Sequence, residues 1–328
     1  MKVKKEYVIL VLVIVALVFY LTLQSANHEP GELPQPARVE SADIDCMVVS
    51  GQPDGSVELV KKDEKWFIQP QAYPADTVKV KNMANAAAQL TLTALVSESG
   101  SYERYGLAEG KRITVDAFRG ADAVRRFHIG EPAPTFQHTF VLIDGDPNVY
   151  HARGQLKRTF EHTIADLRDK TILDLSRESI ATMTLSKGDR TIALTRKEIA
   201  PPAGETQEDK AETPSPPPST KVEWHDAQGQ VVAKEEVDAL LNGIARLNCD
   251  GYLDDTVKDG LGAPRWQITL KDDQGEYAVQ VFAPENDTAD KIPAASSATP
   301  YPFVLNKSRV ENFEKSIDKL MRIEEAGK

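Results

Sequence analysis

The chain has 328 residues, with 39 Lys and Arg against 50 Asp and Glu, for a net charge of -11. An acidic balance of that size repels phosphate backbones and anionic headgroups, which argues against nucleic acid as a partner and against tight lateral binding to a membrane surface. Its two cysteines, Cys46 and Cys249, are about two hundred residues apart and leave no C-x-x-C metal or redox motif.

Lys2, Lys4 and Lys5 precede an uncharged apolar run over residues 7–23. As a helix those seventeen residues rise about 25 Å, enough to cross a hydrocarbon core of about 30 Å with help from the flanks. The first cation after the run is Arg38, so the positive-inside rule places Met1 in the cytoplasm and the rest outside. A cleaved signal peptide is the competing reading, but its apolar core is normally shorter and Gln24-Ser25-Ala26 is a poor cleavage site. Residues 1–24 are therefore read as cytoplasmic tip and transmembrane anchor. Without Lys2, Lys4, Lys5 and Glu6, which sum to +2, the outer part carries -13.

Residues 25–41 are rich in Pro, Gly, Glu and Gln and read as a flexible tether. Two repeated units are expected after it, at 42–175 and 176–328. In the first, short strands fall at 44–49, 56–60, 65–68, 112–118, 124–129, 139–143 and 149–151. Asp76 caps a helix whose apolar residues are Val80, Met83, Ala84, Ala87 and Leu90. In the second, strands fall at 180–185, 191–196, 221–224, 267–271 and 277–282, and the helix carries Val237, Leu240, Leu241, Ile244 and Leu247. Both helices show the spacing i, i+3, i+4, i+7, i+10 of one amphipathic face.

The repeat extends to Tyr105-Gly106-Leu107 and Ile113-Thr114-Val115, matched by Asp259-Gly260-Leu261 and Ile268-Thr269-Leu270. Each half closes on a similar helix: Phe160-Glu161, Ile164 and Leu167 in one, Phe313-Glu314, Ile317 and Leu320 in the other. The seam is placed between Asp169 and Ser179. The expected fold class is α+β: a transmembrane helix, then two units, each an antiparallel sheet with helices packed on one face. Pro-rich 199–220 and Ala-, Ser- and Pro-rich 284–302 read as surface loops inserted in the second unit.

Chemistry is sparse. The histidines (His28, His128, His138, His151, His162, His225) form no H-E-x-x-H helix, and there is no G-x-S-x-G elbow, Walker loop or G-x-G-x-x-G turn. His128 reads as an exposed strand residue and His162 as the polar side of a helix. Asp254-Asp255 and Asp272-Asp273 are carboxylate pairs, but sequence neighbours point apart and the second resembles a hairpin turn. Trp66, Trp224 and Trp266 read as core anchors. Cys46 and Cys249 are read as small buried hydrophobes, with one disulfide as the alternative. No catalytic, cofactor-binding or metal-ligating residue is expected.

The motifs Trp66-Phe67-Ile68-Gln69-Pro70, Ala75-Asp76, Tyr105-Gly106-Leu107, Ile129-Gly130 and Val149-Tyr150 together resemble the bacterial DUF4340 family. The resemblance is close over 42–175 and looser beyond, where Asp259-Gly260-Leu261 replaces Tyr-Gly-Leu and the Ile-Gly is lost. It implies a protein of the bacterial cytoplasmic membrane whose bulk is extracytoplasmic, associated with ABC-type transport systems of the kind linked to gliding motility. The function expected is a non-enzymatic scaffold or adaptor in an envelope transport assembly, with transporter subunits as partners. The alternatives are a module capturing a solute, lipid or cell-wall fragment, and an envelope hydrolase.

Overall fold

A computed structural model describes residues 33–199, 221–253, 260–284, 286 and 288–326. The expected anchor, most of the Pro-rich insertion and Asp254-Asp255 lie outside the described residues, among which no helix is long and apolar enough to cross a membrane. The chain divides into two compact units that part between Asp169 and Lys170.

The first unit holds β1 (Cys46–Gln52), β2 (Gly55–Lys62), β3 (Lys65–Gln69), β4 (Tyr73–Pro74), α1 (Thr77–Ala88), β5 (Leu92–Ser97), β6 (Ile113–Arg119), β7 (Asp122–Pro132), β8 (His138–Ile143), β9 (Val149–Arg153), α2 (Leu156–Phe160) and α3 (Ile164–Leu167). Its nine strands form one antiparallel sheet in the order β4-β3-β2-β1-β6-β7-β8-β9-β5. The second unit holds β10 (Thr182–Lys187), β11 (Arg190–Ile199), β12 (Lys221–His225), β13 (Val231–Val232), α4 (Lys234–Ile244), β14 (Gly251–Tyr252), β15 (Trp266–Lys271), β16 (Glu276–Val281), β17 (Lys291–Ser296), β18 (Thr299–Asn306) and α5 (Lys307–Ala326). Its order, β13-β12-β11-β10-β15-β16-β17-β18-β14, is the first unit's order strand for strand. Both units are mainly β, richer in strand than the α+β expectation.

Alternation along the strands creates each core. In β1, Met47 and Val49 are buried, and in β6 Ile113, Val115 and Ala117 are; all five join one cluster with Val80, Met83, Ala84 and Ala87 of α1 and Leu156 and Phe160 of α2. The second core repeats this, with Met183, Leu185, Ile268 and Leu270 against Val237, Leu240, Leu241 and Ile244 of α4 and Phe313, Ile317 and Leu320 of α5. Trp66, Trp224 and Trp266 are all buried. The Asp76 side chain accepts bonds from the Val78 and Lys79 amides, the cap expected of it.

Several expectations need correction. Residues 284–302 are not a plain loop, because they contain β17 and part of β18, paired in one hairpin. Small Ala, Pro and Ser residues have low strand propensity, yet Ile292 and Ala294 alternate into the core and Pro293 serves the sheet as an acceptor for the Phe282 amide. The first unit's closing helix is broken into α2 and α3. Thr163 starts α3 with a capping box to Asp166, which leaves His162 between the helices, where its amide bonds Gln52 Oε1 at 2.7 Å. The end of the expected tether is part of the fold: Leu33 and Val39 pack on the first core, and the Ala37 carbonyl accepts from Arg125 Nη2 at 2.6 Å. Residues after Asp169 serve the second unit, since the Ile172 and Leu173 amides both bond the Leu247 carbonyl.

Candidate functional site

In the first unit Tyr105-Gly106-Leu107, Gly130 and Val149 of the motifs meet on the sheet face turned away from the main core. Along β8, Val141 joins the main cluster while Phe140 and Leu142 belong to a second, smaller one with Leu107, Val149, Val96, Tyr102 and Tyr105. A 3-10 turn at Tyr102–Tyr105 ends on Gly106 at φ +68°, and Leu107 then inserts, fully buried. A methyl on Gly130 would lie 2.2 Å from the Tyr105 carbonyl oxygen, and one on Gly106 2.7 Å from Glu131 Cγ. Tyr-Gly-Leu and Ile-Gly are thus two halves of one contact, in which the glycines let a loop lie directly on β7. Tyr102 secures the loop with a 2.9 Å bond to the Pro147 carbonyl.

A run of ring contacts extends outward from that contact. Tyr105 lies 4.8 Å from Phe140, Phe140 4.9 Å from His151, and His151 5.6 Å from His138, the imidazoles nearly parallel. Burial, then the neighbouring His138, pushes the His151 value below the ordinary histidine range. His128 is half-buried rather than exposed, bonded to Thr114 Oγ1 at 2.9 Å; its value is lowered by burial and then by the Arg112 charge. The His225 Nδ1 serves the turn at Gly229. Among the described residues no three His, Cys, Asp or Glu side chains are placed to hold a metal ion.

Arg125, which sequence reasoning did not single out, is buried among carbonyl oxygens. It donates to Ala87 and Ala88 at the C-terminal end of α1 as well as to Ala37. Cations suit that end of a helix, although burial alone lowers the arginine's affinity for its proton. Asp272 closes the β15–β16 hairpin by accepting from the Gln274 and Gly275 amides. Cys46 and Cys249 are free thiols, and burial raises the value of each.

The second unit holds a cleft of about 390 Å³ between α4 and α5. Asn242 and Arg246 line it from the α4 side, Arg309, Asn312 and Ser316 from α5, and Asn248 from the segment between α4 and β14. The spacing i, i+3, i+7 puts the α5 set on one helical face, and Arg246 follows just past the end of α4. Gly243 forms the floor, where an added methyl would lie 2.5 Å from Phe313 Cε1, so glycine sets how closely the helices approach. Arg309 Nη1 donates to the Asn248 carbonyl and lies 3.7 Å from Asp250, while Arg246 lies 3.7 Å from Asp174 in a well-exposed pair. The cleft's own lining carries two guanidiniums and no carboxylate. The signals for it in sequence are a glycine inside an amphipathic helix and a polar stripe on the closing helix.

A family model described as a domain of unknown function (DUF4340) matches residues 66–264. No curated protein and no solved structure matches the chain.

Proposed function

Because this chain belongs to the DUF4340 family, we propose that it is a non-enzymatic scaffold or adaptor in an envelope transport assembly. It is anchored by residues 7–23 in the bacterial cytoplasmic membrane, with its N-terminus inside and both units outside. Its partners are membrane proteins of that assembly, ABC-type transporter subunits first among them. The observation that carries this reading is the use of the family's motif residues. Gly130 accepts the Tyr105–Leu107 loop, Trp66 fills the core and Asp76 caps α1, so these motif residues build surface and fold. Also in support, a nine-strand unit built twice offers large ordered surfaces, and the acidic exterior disfavours nucleic acid.

The test is purification of the full-length protein in mild detergent after brief in-cell crosslinking, with mass spectrometry of what accompanies it. A form beginning at Asn27 serves as control. Transporter subunits recovered with the anchored form are the expected result. Recovery of the protein by itself would overturn the proposal.

A further inference from the structure

We infer that the α4–α5 cleft of the second unit binds a small acidic sugar, gripping its carboxylate between Arg246 and Arg309 and its hydroxyls with Asn242, Asn312 and Ser316. This goes beyond the scaffold role, for which the cleft is not needed. Its volume, about 390 Å³, falls within the ~300–1,000 Å³ of small-molecule pockets.

Three features select the ligand class. Two guanidiniums in the lining of the cleft present planar forks of N–H donors, the geometry that matches a carboxylate. Asp174 and Asp250 each lie 3.7 Å from one of them and offset part of their charge without taking up their N–H donors in hydrogen bonds. The remaining cationic field suits a single negative charge, and the overall charge of -11 works against a multiply charged phosphate. Beyond the arginines the lining is amide and hydroxyl, which both donate and accept, as sugar hydroxyls require.

Titration calorimetry of the full chain in mild detergent tests this with D-glucuronate, D-glucose and inorganic phosphate as probes. Glucuronate should bind, and glucose about tenfold more weakly or less, since it lacks one charge-assisted pair. Arg246→Gln should lower glucuronate affinity by about tenfold or more, and Arg246→Lys, which keeps the charge but loses the fork, by a smaller factor. Arg246 is an exposed residue, so an unchanged melting temperature is expected; should Arg246→Gln fail to fold, the lysine variant decides. Equal binding of glucose, tighter binding of phosphate, no binding of any probe, or glucuronate affinity unaffected by both variants would each overturn the inference.

Discussion

The two sheets share one strand order and differ on the face turned away from their cores. In the first unit that face carries Phe140, Leu142, Val149 and His151 and is roofed by the Tyr105–Leu107 loop. In the second it carries a polar ladder, Gln280 Nε2 to Gln267 Oε1 at 2.8 Å and Gln267 Nε2 to Thr269 Oγ1 at 3.1 Å. No glycine follows Val281 as Gly130 follows Ile129, and a methyl on Gly260 would meet nothing within 4 Å. One topology therefore carries on that face either an apolar cluster under a loop or a polar ladder, and Gly106 and Gly130 belong to the first of these. The helices invert the contrast, since the tight glycine contact of the second unit, Gly243 on Phe313, lies on the helix side and leaves a cleft beside it.

Removing a core anchor should show the units' likeness most strongly. Trp66→Ala and Trp224→Ala each empty a fully packed site in strands of matching position, and each should cost about 3–5 kcal/mol. Chemical denaturation, with hydrogen exchange read in the affected sheet, checks both. Gly130→Ala should cost about 1–3 kcal/mol or more by driving a methyl into the Tyr105 carbonyl, with loss of protection in the roofing loop. Gly260→Ala in the second unit should be near neutral, and an equal cost for the two would erase the proposed difference. Asp76→Ala should remove about 1 kcal/mol by stripping the cap from α1. The equivalent position before α4 is Ala233, which makes no side-chain cap, so Ala233→Asp should stabilise by up to about that amount in the same denaturation assay.

The smallest effect is on acidification. Burial holds both His128 and His151 of the first unit below the ordinary histidine value of about 6.5. The unfolded chain then takes up protons before the folded one. Stability is full above about pH 6.5 and falls as pH drops from there toward the lowered folded values. A series of denaturation curves should show this slope and show it flattened in His151→Gln; an unchanged slope in that variant would remove His151 from the account.

What the sequence disclosed follows from the range of the interactions involved. Apolar spacing alone located α1, α4 and the core face of α5, because helical periodicity is local and each of those faces is buried as expected. The β17–β18 hairpin was hidden by its Ala, Pro and Ser content, since its strands are selected by neighbours in the sheet rather than by propensity. β5 was missed for a similar reason: it pairs with β9 through a bulged register and only Leu92 is buried. The motif glycines could be seen but not paired, for nothing local joins Gly130 to Tyr105. Arg246 and Arg309 are sixty-three residues apart, and nothing local in the sequence joins them, although both line the cleft between α4 and α5.

The chain enters each sheet in the middle. β1 is flanked by β2 and β6, and β10 by β11 and β15, so the first strand reached in each unit is held by antiparallel ladders on both sides. Ahead of β1, the Arg125 bond to Ala37 fastens the incoming segment to the end of α1. A tug delivered along the backbone from residue 33 meets that clasp first, then a strand that cannot peel away singly because two ladders must give together. A strand at the rim would unzip one bond at a time, so this arrangement makes the unit a stiff mechanical element, suited to bearing load at its N-terminal end.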